Sequence, residues 1–361
     1  MNIVEVLRKP ELTTGGVYRL EAGILPDPVQ VQILADIETF TNSRFNWQEF
    51  VQEAGERWAD YIPVGDRFRT DRPTDTELEE ITWSHLVSGV YSNQQATIEV
   101  IKKAWDVQAG HETGSLSLGR HLVVIGLMGT GKTELAKALH GGNPFYSKLL
   151  LEQWEDNSSL AYFYDLLETY LDPLCAQAPD FQDLNSLLTN VQGSAQGHFA
   201  ACKFIQTLNG MSDLGNGFDL VQDTNLSVTD MVFFNSQAML RLASQENIEA
   251  YKRDNAYRQR LTPPYLRLGH DRSMMVYLWA PLSEIRARIV HTRGREIERQ
   301  IPWGYLELLY LNTLQCVLAM SQAGAPVLVV DARADFRSFR SDRSLIVRDI
   351  WEKMGGIRGQ S

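Results

Sequence analysis

Residues 121–139 read HLVVIGLMGTGKTELAKAL, and the octet Gly126-Leu-Met-Gly129-Thr130-Gly131-Lys132-Thr133 within them satisfies GxxxxGK[ST] at every fixed position. The residues before it, 121–125, form a short β-branched run, and those after it, from Thr133 to Leu139, have helical spacing. Strand, glycine loop and helix in that order make a P-loop. Gly126, Gly129 and Gly131 free the backbone to wrap its N–H groups around phosphate, with Thr130 inside the turn, and the helix start adds its positive end. Lys132 then reaches the outer phosphates and the Thr133 hydroxyl holds Mg2+, so the stretch predicts a nucleoside triphosphate site, with ATP and Mg2+ as its occupants.

Beyond the loop, strand candidates recur at residues 148–151, 218–222, 274–279 and 327–330, with helical stretches between them. That alternation predicts an α/β fold: a three-layer architecture with a parallel sheet between helices. Upstream, residues 29–40 and 47–58 have helical periodicity, residues 67–77 are polar, and 78–107 are helical again. The small, polar segment 108–119 reads as a linker. The expected division is therefore a mainly helical N-terminal domain, residues 1–115, and a P-loop domain, residues 116–361. The N-terminal part carries no chemical motif and suits the docking of a protein partner.

The net charge of −11 argues against a nucleic-acid polymer as partner. The longest apolar runs, at 274–282 and 325–330, fall short of the roughly 20 residues of a membrane span, so no membrane insertion is expected. The first 16 residues lack the pattern of a signal or transit peptide. Three cysteines, at 175, 202 and 316, form no CxxC pair and fit a reducing, cytoplasmic setting. His270-Asp271-Arg272 reads as a loop end, without a Ser-His-Asp or Cys-His pattern.

A P-loop serves many reactions, and the residues around it narrow the choice. There is no NKxD guanine motif and no apolar run ending in Asp-Glu, which sets aside GTPases and AAA-type motors. Residues 285–309, IRARIVHTRGREIERQIPWGYLELL, instead place Arg286, Arg288, Arg293 and Arg295 where a lid closes over a phosphoryl group in transfer.

This stretch resembles the lid of the deoxynucleoside kinases, in Arg293-Gly294-Arg295, Glu298, Ile301-Pro302, Tyr305-Leu306 and Leu309. Residues 150–165, LLEQWEDNSSLAYFYD, resemble the family segment that carries the general base, and 325–336, APVLVVDARADF, resemble its last strand. The resemblance implies Glu152 as the base that takes the proton of a sugar 5′-hydroxyl. It also implies Tyr164 at the 3′-hydroxyl, Asp331 near the adenine, Arg288 on the nucleotide, Arg293 and Arg295 on the transferring phosphoryl group, and Glu298 on the acceptor. A homodimer is implied as well. The family's Asp/Glu-Arg-Ser motif corresponds to Asp223-Thr224-Asn225, which keeps the acid, for acceptor and Mg2+, and lacks the arginine.

The family glutamine that reads the base, followed by an arginine about two helical turns on, falls in residues 198–208. One register puts Cys202 on the glutamine, and shifted registers put Gln206 or Gln196 there. No arginine lies between Arg120 and Arg241, where 13 acidic residues face four lysines. Lys203 and Lys148 are the candidates to replace the missing cation. The expected activity is ATP-dependent phosphoryl transfer to a nucleoside-like or other small hydroxyl acceptor. The alternative is a nucleotide-binding pseudokinase, a regulatory or assembly subunit of a larger complex.

Overall fold

The computed structural model describes residues 16–59, 71–79, 94–143, 145–152, 158–171, 181–224, 258–266, 272–291, 296–299, 301–333 and 340–355, with Val232, Ser236 and Glu249. Strand β1, Val17–Leu20, opens the chain. Helices α1, Asp27–Thr41, α2, Trp47–Trp58, α3, Asp75–Glu79, and α4, Gln94–Glu112, follow. Strand β2, His121–Gly126, runs into the glycine loop and α5, Lys132–Gly142. Then come β3, Ser147–Leu150, α6, Ser158–Leu171, α7, Phe181–Gly215, and β4, Asp219–Asp223. After β5, Ser273–Trp279, the chain forms α8, Leu282–His291, α9, Glu296–Arg299, α10, Trp303–Gln322, β6, Val327–Asp331, and α11, Arg340–Lys353.

The six strands form one sheet in the order β1-β6-β5-β2-β4-β3. The last five run parallel, and β1 alone is antiparallel, with Val17 opposite Val330 and Leu20 opposite Val327. β2, β4, β5 and β6 are buried nearly throughout, as strands covered on both faces must be, and all but β4, which reads DLVQD, are largely apolar. The four expected strands and the first two helices are all present within one or two residues of their expected ends.

Two sequence expectations shift. The 108–119 stretch is not wholly a linker, because α4 continues through Glu112, where Gln108 donates to Glu112 at 2.9 Å. Gly114, at φ 71, then ends the helix. The region expected as a separate N-terminal helical unit also supplies an edge strand. Leu20, Ile33, Ile37, Phe50 and Trp58 share one core with Val123, Met275 and Leu328 of the sheet. Among the described residues no helix is long and apolar enough to cross a membrane.

Candidate nucleotide and acceptor site

The described residues expected at the site gather at the carboxyl ends of the parallel strands, where open α/β sheets bind ligands. Gly126 ends β2, Glu152 follows β3, Asp223 ends β4, α8 follows β5 and Asp331 ends β6.

The glycine loop is shaped by positive φ angles of 154°, 85° and 96° at Gly126, Gly129 and Gly131. A Cβ on Gly126 would meet the Leu278 carbonyl and Thr130 Oγ1, each at 2.8 Å. One on Gly129 would lie 3.1 Å from Ile289 and 3.3 Å from the Ile285 carbonyl, both on α8. Thr130 closes the turn by donating its hydroxyl to the Leu127 carbonyl at 2.6 Å. The Lys132 ammonium donates to that same carbonyl at 3.4 Å, over the mouth of the loop.

Thr133 Oγ1 donates to Asp223 Oδ2 at 2.6 Å, so the two residues expected to hold Mg2+ are in contact. Their oxygens are the hard ligands Mg2+ prefers. Among the described residues no group of three or more His, Cys, Asp or Glu could hold a metal. A two-ligand site fits an ion that keeps water and phosphate oxygens as its remaining ligands. Next to it Thr224 has φ 70, a strained angle for a β-branched residue. Its N–H donates to the Val124 carbonyl at 2.9 Å and its hydroxyl to Asp223 Oδ1 at 3.2 Å, which fixes the carboxylate.

Across the sheet, Glu152 Oε1 lies 2.6 Å from Lys203 Nζ. Lys203 is 3% exposed and Glu152 23%, so the ammonium is embedded in α7 while the carboxylate keeps an open side. One turn further along α7, Gln206 Nε2 donates to the Leu151 carbonyl at 2.8 Å. Two α7 side chains thus fix the strand end that presents Glu152. The other lysine candidate, Lys148, is exposed, with its ammonium 4.7 Å from the centre of the Phe218 ring.

The sequence model of the deoxynucleoside kinase family matches residues 122–354, well over half of the chain. The chain belongs to the deoxynucleoside kinase family. The chain is similar to two solved structures of deoxyadenosine kinase from M. mycoides. The one with bound dATP is 17% identical, covers 64% of this chain and 98% of its own, and has a TM-score of 0.42. The one with bound dCTP is 18% identical with the same coverages and a TM-score of 0.44. No curated protein matches.

In this kinase-family chain the stretch expected as a lid, residues 285–309, runs from α8 through α9 into the start of α10. Arg288 donates to Glu284 and, at 3.0 Å, to the Arg333 carbonyl. Arg333 in turn clasps Asp331, Nε to Oδ1 at 2.9 Å. The Asp331 carboxylate, expected beside the adenine, is therefore engaged within its own turn. Arg286 pairs with Glu307 and lies 4.6 Å over the Trp303 ring. Tyr164 and Glu298 are both buried, and Tyr164 stacks against Phe163, which meets Tyr305. Arg293 and Arg295 lie outside the described residues, as does the side chain of Cys202, whose backbone continues α7 beside Lys203.

Asp36 escaped the sequence reading altogether. From α1 its carboxylate accepts the Leu282 N–H at 3.0 and 3.2 Å, capping the first turn of the lid helix α8, and it accepts the Tyr310 hydroxyl as well. Burial raises its pKa above the ordinary carboxylate value, with the two hydrogen bonds opposing the rise. No local pattern flags a cap contributed from 246 residues away.

Proposed function

We propose that the protein transfers the γ-phosphoryl group of ATP to a hydroxyl of a nucleoside-like acceptor, with Lys203 serving where the family uses an arginine. The buried Lys203–Glu152 contact of 2.6 Å is the observation that carries the proposal. It sets a fixed cation against the base at the carboxyl end of β3, on the same end of the sheet as the P-loop. In the shifted register Gln196 takes the base-reading position instead of Cys202, since it precedes Lys203 by two turns of the same helix, α7.

In the reaction Glu152 accepts the hydroxyl proton as the oxygen forms its bond to the γ-phosphorus. The bond from that phosphorus to the bridging oxygen breaks, and its electron pair leaves with ADP. Lys132, Arg293 and Arg295 stabilise the charge spread over the peripheral oxygens. Thr133 and Asp223 would hold Mg2+, which would neutralise charge at the phosphates. Lys203 keeps the carboxylate aimed and offsets part of the negative charge of this arginine-poor half. Tyr164 and Glu298 line the acceptor side, and Arg288 steadies the lid.

The arginine-free stretch between Arg120 and Arg241 favours a second reading, a nucleotide-binding subunit without transfer. A screen of deoxynucleosides and ribonucleosides with labelled ATP separates the two. Transfer that disappears in Glu152→Gln, with ATP binding intact, supports the kinase. ATP binding without transfer to any acceptor, together with a co-purifying partner, supports the subunit. Lys132→Ala abolishes ATP binding under both, and binding that survives it refutes both.

A further inference from the structure

A cavity of about 420 Å³ opens at the opposite edge of the sheet from the P-loop, among the beginnings of β2, β5 and β6 and the end of α11. We propose that it binds a small phosphorylated organic molecule of nucleoside monophosphate size. The two ends of the sheet are separated by the six residues of β2, about 20 Å. The cavity is thus distinct from the ATP site and independent of any acceptor chemistry there. Its volume lies in the range of ordinary small-molecule sites.

Four of its eight lining residues, Arg19, Arg120, Arg272 and Lys353, are cationic and none is acidic. Carboxylates outside the wall pair with three of the four, so the wall itself presents only cations in a chain with a net charge of −11. Two of these cations are set in place by the fold. Arg120 pairs with the buried Asp219 at 2.6 Å, lies 4.9 Å over the Trp351 ring and donates to the Met354 carbonyl at 3.0 Å. Arg272 donates to the Leu118 carbonyl at 2.7 Å. The other two are adaptable. Arg19, 55% exposed, is 3.6 Å from Glu21, and Lys353 pairs with Asp349 one turn back on α11. Pairs of this solvated kind are worth at most about 1 kcal/mol, so an incoming phosphate readily exchanges for the carboxylates.

The rest of the wall, Met274, Pro326, Met354 and Gly355, carries no charge. Inorganic phosphate would leave that half unused. An anion with a flat or apolar body fills both halves, with Arg and Lys on the phosphate and methionine against the body.

The test uses the full chain carrying Lys132→Ala, which removes the P-loop as a binding site, with AMP titrated by calorimetry. The expected result is saturable AMP binding, with adenosine and inorganic phosphate each at least about tenfold weaker. In the same background, Arg19→Glu with Lys353→Glu weakens AMP binding by about tenfold or more, in proportion to two charge-assisted contacts. ATP binding by the pair of changes in an otherwise unaltered chain verifies folding, and Arg19→Gln with Lys353→Gln serves if the reversed charges fail that check. Absent saturation at millimolar AMP, equal affinity for inorganic phosphate, or AMP affinity unchanged by the paired substitutions overturns the proposal.

Discussion

Replacing Asp36 by alanine probes whether the segment preceding the family match steadies the lid. The change removes a carboxylate acceptor from the Leu282 N–H and from the buried Tyr310 hydroxyl. A hydrogen bond to a charged group contributes about 1.5–3 kcal/mol, and a buried hydroxyl left without an acceptor costs about 1–3 kcal/mol. Two effects reduce the sum. Tyr310 still accepts from Trp279 Nε1 at 2.6 Å, and alanine relieves the burial penalty that raises the Asp36 pKa. A net loss of about 2 kcal/mol at the start of α8 corresponds to roughly thirtyfold more frequent local opening. Since Ile285 and Ile289 of α8 pack on Gly129, ATP affinity falls several-fold in parallel.

Amide hydrogen exchange across residues 282–291, with and without ATP, reads the effect directly. Asp36→Asn, which keeps a carbonyl oxygen for Leu282 and carries no charge to bury, is the milder variant. Because the folded pKa is raised, the Asp36 contribution to stability is largest at low pH and is lost as pH rises through that raised value. The asparagine variant lacks that slope. Unchanged exchange in α8 on going to alanine refutes the coupling.

Other perturbations bear on the site and the core. Glu152→Gln takes the carboxylate from the buried Lys203 and Lys203→Met takes the cation from the part-buried Glu152, so the double variant is more stable to denaturant than the two single losses summed predict. Under the kinase proposal Lys203→Met also lowers transfer while ATP affinity stays within about twofold, which a coupled assay and calorimetry distinguish. Asp223→Asn raises the Mg2+ concentration needed for ATP binding by about tenfold or more, measured by nucleotide titration at graded Mg2+. His121, fully buried with its pKa depressed to about 4 by desolvation, remains neutral in the fold. The unfolded chain then takes up the proton first, so stability falls as pH drops from about 6.5 to 4, by up to about 1.4 kcal/mol per unit. In His121→Gln that part of the acid sensitivity disappears from urea titrations.

The parts of the fold that were legible in the sequence depend on local pattern. The glycine loop has required residue types at fixed spacing, and strands such as β5 and β6 are unbroken apolar runs. Asp223, expected beside Mg2+ from the family resemblance and not from any local pattern, does meet Thr133 at 2.6 Å. Features made by distant chain segments were not legible. β1 has only four residues, half of them polar or exposed, and is a strand only because β6 offers it a ladder. Asp36 caps a helix far along the chain. The pairing of Lys203 with Glu152 depends on the rotation of α7 about its axis, which periodicity could not fix, since that helix shows little apolar bias to one side.

The pairing of Val17 with Val330 also affects how the chain is made. β1 leaves the ribosome long before the strand it pairs with, β6. Until then β1 has no ladder to join and the hydrophobic side of α1 lacks part of its cover. The sheet therefore cannot be completed domain by domain during synthesis, and its edge is sealed only by a late, long-range closure. A nascent chain held in that interval is where chaperone assistance would matter most.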